Sequence, residues 1–145
     1  MAHRVEPPVS PLQFISLYGL TTLVFFGIDL VWLGVVARGF YGTHLGHLMR
    51  EAPLWPAALA FYGLYIAGIL VFAVLPSLEA GSLGKAVALG AFFGLVAYAT
   101  FDLTSLALFR DFPVVVVAVD LVWGSVLTAL VAASGYGLGR WLGIT

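Results

Sequence analysis

Apolar residues run in four long blocks along this chain, and most polar residues gather between them. The blocks cover about residues 12–37, 55–75, 83–109 and 112–140. At a helical rise of about 1.5 Å per residue, each can cross the ~30 Å hydrocarbon core of a bilayer. The opening stretch MAHRVEPPVSP is polar and proline-rich, as an irregular interfacial arm would be. It does not read as a cleavable signal peptide, because the apolar run after it is too long and no small-x-small cleavage site follows. Arg38 is expected to end the first helix, leaving residues 38–54 as the longest loop, flanked at the interface by Tyr41 and Trp55. Pro56 fits a first helical turn, and Pro76 is expected to follow the end of the second helix. Arg110-Asp111 makes the tightest turn. Phe112-Pro113 opens the last block, where Gly135, Gly137 and Gly139 are expected to loosen the helix end and Trp141 to anchor it. The pattern predicts an all-α integral membrane protein: one domain over residues 1–145, four transmembrane helices, both termini on one side.

Composition supports the same class. The 145 residues are 62% hydrophobic and only 9% charged, against roughly 25% charged in soluble domains. No cysteine is present, which excludes disulfides, thiol catalysis and iron–sulfur ligation. A net charge of −1 points to no nucleic-acid partner and no polybasic lipid-binding patch. Counting basic residues on the two sides gives a tie, Arg4, Lys85 and Arg140 against Arg38, Arg50 and Arg110. The α-amino group tips the orientation toward cytoplasmic termini.

Three acids break the apolar pattern. Asp29-Leu-Val-Trp32 is repeated letter for letter as Asp120-Leu-Val-Trp123, with Asp102-Leu103 between them. An intramembrane aspartate costs about 2.5–3.5 kcal/mol on insertion scales, so three together mark a functional site by default. Counted inward from the loop-side ends, all three fall roughly 12–14 Å deep, at nearly one level. Trp32 and Trp123 each follow their aspartate by three residues, on the same helical face. Because the first and fourth helices run oppositely, Trp32 is expected above the carboxylates and Trp123 below. Thr100, Thr104 and Ser105 offer hydroxyls near Asp102, and Tyr62, Tyr65 and Tyr98 add polar tips at related depths. Apart from Lys85 and Arg140 at span ends, no Lys, Arg or His lies inside any predicted span, so the acids are expected either to share protons or to hold a cation.

Internal similarity adds a second pattern. Asp29 lies nine residues before Arg38 and Asp102 eight before Arg110, while Trp55-Pro56 and Phe112-Pro113 open the second and fourth blocks. The chain reads as a possible tandem repeat of two helical hairpins. Gly90 and Gly94 form a small-xxx-small pair suited to close helix contact. His44 and His47 have the i, i+3 spacing of a metal-binding pair, but with Glu51 as the one near acid they read as solvated loop residues. Gly135-x-Gly-x-Gly139 follows no strand and is no nucleotide fingerprint. With no histidine in the membrane, a Ser–His nucleophile has no basis.

Several of these motifs together resemble a known family. They are Asp29-Leu-Val-Trp-Leu-Gly with Phe40-Tyr41, then Phe61-Tyr62-Gly63-Leu64-Tyr65, then Gly94 through Tyr98 to Asp102-Leu-Thr104, and Asp120-Leu-Val-Trp-Gly124. From about Leu12 to Ser125 the chain resembles a bacterial family of small predicted membrane proteins catalogued only as a domain of unknown function. Phe101 stands where that family suggests tyrosine, and Ser105 where it suggests asparagine. The resemblance implies a four-span fold and no substrate. It also implies a bacterial protein, of the inner (cytoplasmic) membrane.

The leading expectation is a small transporter or ion-coupled binding protein. Asp29, Asp102 and Asp120 would carry a proton or cation, and Trp32, Trp123, Tyr62, Tyr65, Tyr98 and Thr104 would line a pocket for a small or apolar solute. Its surroundings are the lipid bilayer, with a lipid or small apolar ligand and, since four thin helices enclose little volume, a homodimer. No cofactor is called for, and the residues favour a non-enzymatic role. The alternatives are a lipid-handling enzyme, in which a carboxylate pair works with His44 or His47, and an accessory subunit that docks through an exposed Gly90/Gly94 face.

Overall fold

A computed structural model describes residues 9–145. The expectations for Arg4, Pro7 and Pro8 lie outside the described residues. Among the described residues, four helices are long and apolar enough to cross a membrane: α1 (Pro11–Leu45), α2 (Trp55–Glu79), α3 (Leu83–Leu108) and α4 (Val114–Trp141).

Local chemistry sets the helix ends. Ser10 and Gln13 form a reciprocal capping box at the start of α1, and Pro11 occupies the first turn. Ser82 caps α3 by accepting from the Lys85 backbone N–H. Asp111 turns the chain between α3 and α4 with a left-handed φ of 59°, a conformation that aspartate tolerates better than most residues. The Gln13 side chain donates to the Leu142 carbonyl at 3.2 Å, tying the start of α1 to the end of α4. Both described ends therefore lie on one side of the bundle.

Two helices run further than their sequences suggest. Arg38 does not end α1. A π-turn at Leu33–Ala37 carries the helix on to Leu45, so much of the expected loop is helical. Likewise Pro76 lies inside α2, just after a π-turn at Leu70–Val74. Proline has no N–H to give and its ring crowds the preceding turn. The wider turn, where Leu75 N–H reaches back to Leu70, lets the helix pass through.

Inward positions form stripes spaced by four residues. On α1 they are Leu17, Thr21, Phe25 and Asp29. On α3, Ala86, Gly90 and Gly94 lead toward Asp102. On α4, Asp120, Gly124, Thr128 and Ala132 face inward. Each aspartate thus stands at the loop-side part of a stripe that otherwise packs helices. The aliphatic core, built on residues such as Leu17, Ile69, Val74 and Val131, fills the half nearer the termini.

The hairpins are unequally packed. α3 and α4 make by far the most extensive contact, and α1 rests mainly on α4. Gly90 and Gly94 permit this closeness: a Cβ on Gly90 would come within 2.6 Å of the Ala132 Cβ. Those glycines are buried against α4, so they offer no exposed docking face. Gly135 and Gly139 do not loosen α4 either; they sit in the helix against Val74 and Leu78. α2 meets α3 chiefly through Leu70–Val74.

Candidate functional site

All three aspartates are buried, at 6% (Asp29), 1% (Asp102) and 7% (Asp120) exposure, which the inward stripes require. They do not converge as one triad. Asp102 and Asp120 are brought side by side by the close α3–α4 contact. Among the described residues, no donor gives a hydrogen bond to either Asp102 oxygen. Its neighbour is a second carboxyl group, and a bond between two carboxyls needs a proton between them.

Asp120 has a further partner, the Tyr41 hydroxyl, which donates to its Oδ1. Tyr41 lies on the part of α1 beyond the π-turn, and the extra residue in that turn re-phases the face it presents. The Trp32 indole lies beside the same hydroxyl.

Asp29 forms a separate station. The Tyr62 hydroxyl approaches it at 3.5 Å, the outer limit of a hydrogen bond. The Trp123 indole lies next to it, with an N–H that is buried and makes no bond of normal geometry.

The two stations are joined by aromatic contact. Trp32 and Trp123 stack face to face, with centroids 4.1 Å apart and planes 6° from parallel. The expected separation of the indoles above and below the acids is therefore incorrect. Side chains lean toward the N-terminus of their own helix. In antiparallel helices Trp32 and Trp123 lean toward each other and meet.

A cleft of about 640 Å³ opens beside the carboxyl pair, lined by residues including Phe61, Tyr98, Phe101, Asp102, Thr104 and Asp120. It lies between the first half of α2 and the loop-side end of α3. There α2 has left α3, since their contact is concentrated at Leu70–Val74. Phe61 and Phe101 are exposed on its walls, so it faces the bilayer flank.

The remaining expected pocket residues are distributed more widely. Tyr98 and Thr104 line the cleft, and the Thr104 hydroxyl bonds back to its own helix at Thr100 and Phe101. Tyr65 is a core residue, bonded to Thr128 at 2.6 Å and stacked on Phe93. Trp32 and Trp123 border shallow apolar grooves rather than this cleft. His44 is in α1, with Nδ1 2.8 Å from the Phe40 carbonyl and its ring against the Phe40 ring. Among the described residues, no three His, Asp, Glu or Cys side chains are grouped to hold a metal ion.

Residues 14–137 match the family described as Predicted membrane protein (DUF2177). The chain belongs to this family. No curated protein and no solved structure matches it. The match reaches into all four helices of this DUF2177 protein and includes Asp29, Asp102 and Asp120. It includes Tyr41, the partner that reading the sequence as spans and loops overlooked. The Phe40-Tyr41 pair that follows the first Asp-Leu-Val-Trp motif was the available signal, but a tyrosine next to an arginine-bearing stretch reads as an interfacial anchor.

Proposed function

We propose that this protein binds a small, largely apolar solute that enters sideways from the bilayer, and that binding is coupled to a proton on the Asp102–Asp120 pair. One observation carries the reading: two adjacent buried carboxyls, one of them without any donor, line an aromatic-walled cleft on the membrane flank. Interhelical polar contacts are worth well under 1 kcal/mol on average, less than the insertion cost of a single aspartate. Simple helix-fastening therefore does not account for the pair. The apolar walls suit a lipid-soluble solute, and the carboxyls suit proton uptake and release. Exchange of occupant and proton across the bilayer makes the protein a small transporter. Tyr41 orients Asp120, and the stacked indoles hold Asp29 at a distance as a second acidic station.

The test is infrared spectroscopy of the carboxylic C=O stretch in reconstituted protein across pH. A band that rises and fades with pH, and is lost in Asp102→Asn or Asp120→Asn, is the expected result. A carboxylic band that never titrates means fixed structural acids and overturns the proposal.

A further inference from the structure

The carboxyl pair restricts which solutes the cleft can take. Asp102 is faced by Asp120 from α4, by Tyr41 from α1 and by Tyr98 on its own helix, while Phe61 closes the cleft from α2. Among the described residues, no basic side chain acts on either acid. Among the described residues, nothing on this chain can neutralise both carboxylates once a proton leaves. The neutralising charge must then arrive with the ligand.

A hard metal ion fits poorly. Calcium takes six to eight oxygens and magnesium a near-ideal octahedron, whereas the cleft offers two carboxyls among aromatic rings, and no third metal-binding side chain joins them. A zwitterionic lipid headgroup would bring its phosphate to the same acids without an Arg or Lys to receive it. A weakly hydrated organic cation satisfies both halves of the site. Its charge meets the carboxylates, and its apolar groups meet Phe61, Tyr98 and Phe101, whose ring faces attract cations.

We infer that the solute of this cleft is a lipophilic organic cation, an ammonium or phosphonium centre on an apolar body, which enters from the bilayer and displaces a proton from the Asp102–Asp120 pair. The inference rests on the proton-linked reading of the same cleft. The carboxylic O–H bond breaks, the proton passes to water, and the cation takes its place as counter-charge.

The experiment uses the full chain in lipid nanodiscs and two probes of similar aromatic bulk, cationic tetraphenylphosphonium and neutral triphenylphosphine oxide. The expected result is saturable binding of the cation only, with about one proton released per cation and binding about tenfold weaker for each pH unit below the midpoint. Asp102→Asn should weaken cation binding by about tenfold or more, and Phe61→Ala should weaken it severalfold. Glu79→Gln, an acid at the far end of α2, should not change it. The comparison of probes on the unaltered protein stands even if a variant folds poorly. Equal binding of the neutral probe without proton release overturns the cation. If neither probe binds while the carboxylic band still titrates, the cation is overturned and the proton site stands. If neither probe binds and the band is fixed, both readings fall.

Discussion

At the scale of single residues, an intramembrane acid is interpreted by its neighbours. Asp120 holds the Tyr41 hydroxyl, Asp29 has only a distant Tyr62, and Asp102 has no donor. Tyr41→Phe keeps the ring and removes the hydrogen bond. It should leave the fold intact, cost about 1 kcal/mol, and alter the carboxylic infrared band assigned to Asp120 while leaving the Asp29 contribution in place. An unchanged band would show that Tyr41 does not orient that acid. Asp111 gives a backbone test, since its φ of 59° excludes branched side chains. Asp111→Val should lower unfolding stability by about 1–2 kcal/mol, and Asp111→Gly should not, as read by thermal unfolding in detergent. The three acids were legible in the sequence because charge is rare in this chain. Their pairing was not, because a count of depth along helices says nothing of rotation. The indole stack is hidden for a related reason: sequence position fixes Cα levels, while long side chains lean by a turn.

Elements were legible as far as hydrophobicity could take them. Four apolar runs gave four helices, and the glycine pair gave a close contact. Helix ends are where the pattern fails, because neither Arg38 nor Pro76 stops its helix. A π-turn absorbs Pro76, and another carries α1 past Arg38. Neither has a composition signal, since Leu33–Ala37 and Leu70–Val74 are ordinary apolar segments. The helices are apolar on every side, so period alone cannot fix their facing. At this scale the sharpest prediction concerns Gly94, which lies against Gly124 and Thr128. Gly94→Leu has no space and should separate α3 from α4, costing about 1–3 kcal/mol or more. The loss should appear as a lower unfolding midpoint and should remove the carboxylic band shared by Asp102 and Asp120. Gly137 has nothing near its missing side chain, so Gly137→Ala should be tolerated in the same assay.

For the whole molecule, the two hairpins suggested by the repeat occupy different roles. The second is a tight pair of uninterrupted helices carrying both members of the carboxyl pair. The first is looser, interrupted twice by π-turns, and meets the rest through α4 and the lower half of α2. This inequality leaves the cleft open on one flank. It also has a consequence for how the protein is made. A ribosome delivers the loose hairpin first and the helix that organises it last. Until α4 emerges, Asp29 lacks Trp123, and Asp102 lacks its close helix partner. The nascent chain therefore holds two acids in lipid with little protein around them. A chain truncated after residue 113 should be cleared far faster than the full protein in a pulse-chase experiment, with Asp29→Leu and Asp102→Leu together slowing its loss. Quality control in the membrane would recognise the unfinished protein by the same carboxylates that the finished one puts to use.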